Sequence, residues 1–206
     1  MFIKGDVTLG NEPKSKRDLL RDRLIAAAES EIAALGLAGL KARSVTKAAG
    51  CALGGLYTVV PDLDGLIMLV NSQTIARLEK ELGRAAEKAA TPEDTLQELA
   101  VAYADFALSE TNLWYAAFHH RLPDGQALPD WHQAEFTALV AYLATPLAQI
   151  LPALSRDALA LRAQTLFGAV HGVVQLSLNG QFIGSPRDAL ADEVRALARA
   201  LSRGLA

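Results

Sequence analysis

From Lys16 nearly to its end, this chain places apolar residues three and four positions apart and nowhere alternates them strictly with polar ones. That spacing lines one face of a helix and cannot build a half-buried strand, so it predicts an all-α fold. A first helix is expected over Lys16–Leu35, with Leu20, Leu24, Ala27, Ala28, Ile32 and Leu35 on one side and Gly36 as its stop. Two short helices follow, over residues 43–49 and 53–59, ended by Gly50 and Pro61. Asp62 is a natural cap for a long fourth helix through Leu66, Leu69 and Val70 towards Leu82 and Ala86. Thr91-Pro92-Glu93-Asp94 and Ser185-Pro186-Arg187-Asp188 each set a capping hydroxyl before a first-turn proline and an acid, which predicts helices over Pro92–Ser109 and residues 186–203. Between them helices are expected over residues 113–121, over 131–150 with a bend at Pro146, and from a Ser155 cap to about Asn179-Gly180.

Composition narrows the class further. With 51% hydrophobic residues and a net charge of −3 over 206 residues, the chain is excluded from the disordered class and has enough apolar material for one domain, or a small module fused to a larger one. Its single cysteine, Cys51, excludes a disulfide framework and a cysteine-cluster zinc site. No apolar core typical of a signal peptide stands at the start, and no apolar run approaches the ~20 residues needed to span a bilayer, so a soluble, cytoplasmic protein without membrane association is expected. The charge is unevenly spread. Residues 14–60 net +4 and residues 61–206 net −6, the pattern of a polyanion-binding head on an acidic body, or of a solvated helix that happens to be basic.

The stretch from Arg43 to Tyr57 decides between these. Two short helices joined at Gly50 are the helix-turn-helix arrangement, with Ala49 at the close crossing and Val45, Cys51 and Leu56 facing the first helix. In that arrangement the second short helix enters the major groove, with Leu53, Gly54 and Gly55 nearest the base edges. Gly36, Arg43, Val45, Ala49, Gly50, Gly54, Leu56, Tyr57 and Leu66 fall without a gap on the head pattern of the TetR/AcrR family of bacterial transcriptional regulators, which residues 20–69 resemble.

The resemblance implies an N-terminal three-helix head (16–61) behind a disordered or flexible arm (1–15), joined by helix four to a helical effector-binding and dimerisation body (62–206). It also implies phosphate contacts from Tyr57, then Arg43, with Lys47 and Thr58 as neighbours; a tyrosine packing the end of its helix and solvated surface side chains are the plain alternatives. Lys14, Lys16 and Arg17 can either reach a groove or remain in a solvated tail. The departures from the pattern are specific. Lys41 replaces a hydroxyl cap, Thr46 a buried alanine, Ala52 a capping serine, Thr58-Val59-Val60 a polar pair and phenylalanine, and Leu63 a phosphate-contacting lysine. Each lost charge contact lowers affinity and flattens its salt dependence.

In the body, Phe167 to Gly172 resembles the Trp-x-x-x-His-Gly signature of one TetR subclass, with Phe167 in the tryptophan position. Tyr103, Phe106, Trp114, Tyr115, Phe118, Trp131, Phe136, Tyr142 and Phe167 gather where a pocket for a small organic effector would lie, with Tyr103, Phe106, Trp114, Tyr115, Phe118, Trp131, Phe167 and His171 its expected lining, or else they fill a core. His119, His120, His132 and His171 lack metal-ligand spacing, so no metal and no cofactor is expected; His171 suits a cross-helix hydrogen bond or a pocket wall. Leu190, Val194, Leu197 and Leu201 form a seam that needs a partner, as do Val170, Val174 and Leu178. Two-fold pairing of these helices would make a homodimer reading a pseudo-palindromic duplex operator; an intramolecular core is the other solution. No nucleophile–base pair or phosphate loop suggests an enzyme. The expected protein is a ligand-released repressor, or a homologue binding small molecules or proteins with weakened or lost DNA binding.

Overall fold

The structure is a computed structural model that describes residues 14–123, 126–180 and 183–204. Among them are nine α-helices and no strand: α1 (Lys16–Leu35), α2 (Ala42–Ala48), α3 (Leu53–Tyr57), α4 (Leu63–Lys88), α5 (Pro92–Ser109), α6 (Thr111–His119), α7 (Asp130–Ile150), α8 (Arg156–Asn179) and α9 (Leu190–Gly204). A 3-10 turn over Leu37–Gly39 follows α1. Of the expected arm, residues 1–13 lie outside the described residues. Ser15 belongs to α1, because its hydroxyl accepts the Asp18 N–H while the Asp18 carboxylate accepts the Ser15 N–H.

Local chemistry starts the helices. Asp62, Thr91 and Ser155 cap α4, α5 and α8 by accepting the backbone N–H three residues on. Lys41 offers no such oxygen to α2, and α1 supplies one instead: the Glu31 carboxylate accepts both the Lys41 N–H, at 3.2 Å, and the Ser44 hydroxyl. The helix-turn-helix turn needs Gly50, whose φ of +68° strains any residue with a Cβ.

Two apolar cores share α4. Its first two turns (Leu66, Ile67, Val70) complete a core with Leu24, Ile32, Val45 and Leu56 of the first three helices. Its later turns (Ile75, Leu78, Leu82) enter a larger core with α5, α7, α8 and α9. Helix α6 joins them, because Leu113 and Ala116 enter the first core while Trp114 and Ala117 enter the second. Polar ties reinforce that junction: Asn112 donates to the Ala33 carbonyl at 2.8 Å, Asn71 to the Ala116 carbonyl at 3.2 Å, and His120 Nε2 lies 2.8 Å from the Asp64 carboxylate.

The C-terminal region differs from expectation in two ways. Helix α9 starts at Leu190 rather than Pro186, because residues 186–189 form a turn. Just before that turn Gly184 lies so close to α8 that a Cβ would stand 2.7 Å from the Leu176 carbonyl oxygen. The α9 seam also finds its partner within the chain. Leu190 and Val194 are fully buried in the core that α9 forms against α5, and the seam is flanked by the Arg195–Glu98 ion pair and by Arg199 donating to Gln97 at 3.1 Å. Val170 and Val174 are buried in the same core, so these four cannot form the surface between copies expected of them. Leu178, Leu197 and Leu201 are half-buried against that core. Their spacing demanded an apolar neighbour, and α5, α7 and the packing of α8 on α9 provide it.

Candidate DNA-reading face and interior cavity

Helix α3 is one and a half turns long and presents Leu53, Gly54, Tyr57 and Thr58 outward. Tyr57 is 57% exposed, while Leu56 is wholly buried beneath it and fixes the helix to the head core. Arg43 and Lys47, one turn apart on α2, are exposed as well. The exposed side chains of these two helices are thus two cations, a phenol and a hydroxyl beside a short apolar tip.

Several expected members fall elsewhere. Gly55 is half-buried and faces inward, where a Cβ would stand 3.2 Å from Cys51 Sγ and 3.8 Å from Leu20, so its role is to let α3 approach α1 rather than to meet bases. Lys14 is paired with Asp22 at 2.6 Å, and Arg17 donates from Nε to the Thr58 carbonyl at 3.0 Å. That bond ties α1 to the end of α3, and the Thr58 hydroxyl donates to the Gly55 carbonyl at 2.7 Å. No side chain caps α3 at Ala52. Thr46 is buried without strain because its hydroxyl donates back to the Ala42 carbonyl at 2.9 Å.

The aromatic residues of the body divide into groups. Tyr103, Trp114, Phe118, Phe167 and His171 form one cluster with edge-on and tilted contacts of 5.2 to 6.2 Å between ring centres. A polar chain runs through it: Trp114 Nε1 donates to the Tyr103 hydroxyl at 3.0 Å, and that hydroxyl lies 2.7 Å from His171 Nδ1. A buried hydroxyl that already accepts from Trp114 satisfies its own proton by donating to Nδ1, an assignment that makes His171 neutral with its proton on Nε2. Burial, and then the nearby His119, hold it below the usual histidine range. Burial likewise pushes the Tyr103 phenol up, so it stays an O–H donor.

The interior cavity lies beside this cluster, between α4, α5, α7 and α8, with a volume of about 30 Å³. Twelve side chains line it, among them Leu78, Leu82, Leu99, Leu139 and Leu166; none is charged, and only Tyr103 and Tyr142 carry a polar atom. Of the expected lining residues, Tyr103 and Phe167 reach it. Trp114, Phe118 and His171 stack behind them, and Phe106 faces an outer groove between α4 and α5. Tyr115 is exposed and stacks on His119 with 4.1 Å between ring centres. Trp131, 46% exposed, walls a separate groove of about 450 Å³ between α1, α4 and α7. Their helix spacing left open which of these aromatics share a face. Sequence reasoning counted Tyr142 among the clustered aromatics without placing it in the lining, and missed the aliphatic wall from α4. Among the described residues no three His, Cys, Asp or Glu side chains gather to hold a metal ion, and no helix is long and apolar enough to cross a membrane.

Comparison with known proteins bears on this geometry. The family model described as tetracyclin repressor-like, C-terminal domain, matches residues 96–201, just over half of the chain. The chain belongs to the TetR family. The match runs from α5 into α9 and so takes in three of the four helices around the cavity, and it places the protein among transcriptional regulators rather than enzymes. No curated protein sequence matches this TetR-family chain. Solved structures do. A protein of unknown function from Rhodococcus sp. RHA1 is 24% identical with a TM-score of 0.72, and 96% of this chain covers 98% of that one. The transcriptional regulator FadR from Bacillus subtilis, in complex with stearoyl-CoA, is 17% identical with a TM-score of 0.68, over 87% of this chain and 97% of its own. RolR in complex with resorcinol is 18% identical with a TM-score of 0.66, over 91% and 94%. These likenesses establish that the fold is that of TetR regulators from the head through the body.

Proposed function

We propose that this TetR-family chain is a dimeric, operator-binding repressor released by a small hydrophobic effector. The observation that carries the reading is the head. Tyr57 and Thr58 at the end of α3, with Arg43 and Lys47 on α2, form one outward face, held from below by Leu56 and from the side by the Arg17–Thr58 bond. Residues 16–61 act as the DNA-binding unit and 62–206 as the effector-binding and dimerisation unit. In the groove, Leu53 offers apolar contact with a thymine methyl group, while Tyr57, Arg43, Lys47 and Thr58 contact phosphates.

The dimer surface belongs on the outer side of α8. Leu161, Thr165, Gly168, Gly172 and Leu176 follow one another three and four residues apart along it. Leu161 and Leu176 are 64% and 55% exposed, and no atom lies within 4 Å of where a Cβ would stand on either glycine. A second copy can therefore bring its own α8 close and bury both leucines, setting two heads for half-sites about 34 Å apart. The effector acts from the cavity between α4, α5, α7 and α8, and shifts operator affinity by as much as its affinity differs between the two arrangements of α4. FadR with stearoyl-CoA and RolR with resorcinol show that relatives of this fold hold organic ligands.

Incubating the purified protein with fragmented source DNA and sequencing what it retains tests the reading. Recovery of a few pseudo-palindromic sites, bound less tightly as salt rises, is the expected result. A second reading, in which the body still binds a ligand or protein while the head no longer reads DNA, draws on the absence of a side-chain cap on α3 and on Leu53-Gly54 at its tip. Absence of any retained fragment at low salt selects it.

A further inference from the structure

One side chain of the cavity wall also borders the surface. Tyr142 of α7 lines the cavity and also two open depressions of the surface, one of about 470 Å³ along α7 and one of about 400 Å³ along α4. Among the described residues no other lines more than one of the three. Its half-buried phenol lies against α4 at Gly83, where a Cβ would stand 3.6 Å from the hydroxyl. Glycine there leaves the ring a shallow seat on α4 instead of a side chain to pack against.

The cavity as it stands is too small for an organic ligand. Its 30 Å³ holds about one or two waters, whereas a cavity of roughly 150 Å³ is needed to take benzene. Ligand entry therefore requires a wall to move, and displacing Tyr142 joins the cavity to space that already exists. The lining also limits what can enter. A carboxylate, phosphate or ammonium would sit among ten side chains without polar atoms and no counter-charge, at a large desolvation cost. The Tyr103 hydroxyl has spent its proton on His171 and one lone pair on Trp114, so it offers a ligand a single acceptor site.

We propose that the cavity takes a neutral, predominantly apolar small molecule with a hydroxyl or amine donor for Tyr103, admitted between α4 and α7 as Tyr142 leaves its seat on Gly83. The proposal rests on reading this cavity as the effector site. It concerns ligand class and entry route, which do not depend on the head binding DNA.

A matched pair of fluorescent probes tests it on the full chain: N-phenyl-1-naphthylamine, which is neutral with one N–H, and 8-anilino-1-naphthalenesulfonate, the same framework with an anion. The neutral probe should brighten and bind at least tenfold more tightly than the sulfonate. In stopped flow, Tyr142→Ala should speed its association about tenfold, and Tyr142→Leu by less, each variant keeping the native helical circular dichroism. If Tyr142→Ala does not fold, Tyr142→Leu and the probe ratio decide. Equal binding of the two probes, binding of neither, or an association rate indifferent to residue 142 overturns the proposal. A protein that takes up the neutral probe through residue 142 but retains no DNA keeps this inference and loses the regulator reading. One that retains DNA but favours the sulfonate does the reverse.

Discussion

Nε2 of His120, at the end of α6, lies 2.8 Å from the carboxylate of Asp64, the second residue of α4. The histidine side chain is only 9% exposed, so this contact is a partly desolvated tie between the body and the turn of α4 nearest α3. His120→Ala should therefore speed amide hydrogen exchange in the first turn of α4 by roughly five- to tenfold, the equivalent of about 1 kcal/mol, while leaving exchange in α9 unchanged. Mass-spectrometric exchange on the two peptides reads both.

Glu31 caps a helix to which it does not belong. Removing its carboxylate in Glu31→Ala leaves the Lys41 N–H without a side-chain partner and should cost about 1 kcal/mol, as other lost caps do. Ser44→Ala removes the second donor to Glu31 but keeps that bond, and should cost less. Thermal melting of the two variants ranks them.

These cases show what was legible in the sequence. The starts of α4, α5 and α8 could be read because Asp62, Thr91 and Ser155 act on N–H groups three residues away. The identical-looking start at Ser185 failed, and Gly184 beside it lies against α8 at the Leu176 carbonyl, a contact that its neighbours in sequence do not reveal. Apolar spacing likewise showed that Leu190 and Val194 need burial but not that α5 provides it. That Leu56 faces the core could be read from the helix-turn-helix arrangement, and it is wholly buried. The role of Tyr142 could not, because it depends on an absent side chain at Gly83, on a different helix.

On the proposed DNA-reading face, charge and contact separate. Lys47→Ala should lower the slope of log affinity against log salt by about one unit, the signature of one phosphate contact. Tyr57→Ala should weaken operator binding at least tenfold at moderate salt, with unchanged molar mass by light scattering. Operator titrations by fluorescence anisotropy at three salt concentrations measure both effects.

The outer side of α8 gives a second separation. Leu176 is 55% exposed in the single chain, so Leu176→Glu should leave melting of the subunit fold within about 0.5 kcal/mol of stability, as surface changes usually do. Across a two-fold axis the same change sets two carboxylates in an apolar contact. Size-exclusion with light scattering should show a monomer.

His171 makes the fold sensitive to acid. Its neutral form accepts from Tyr103, and burial, then His119, lower its affinity for a proton below the ordinary value of 6.5. Below that pH the unfolded chain binds this proton and the folded chain resists it, so the contribution is complete above pH 6.5 and declines as pH falls towards the lower folded value. His171→Gln should flatten the decline in melting temperature through that window, and the imidazole carbon-bound proton resonances of His171 should titrate below those of an exposed histidine.

The sharing of α4 between two cores gives the molecule mechanical leverage. Its 26 residues make a rod about 39 Å long, with the cavity against Leu78 and Leu82 and α3 beyond the opposite end. A pivot of about 5° near the inner end sweeps the far tip through roughly 3 Å over such a length, close to the rise of one base pair. In the proposed dimer, a displacement no larger than one tyrosine ring is thus enough to put two reading heads out of step with the groove that they would enter together.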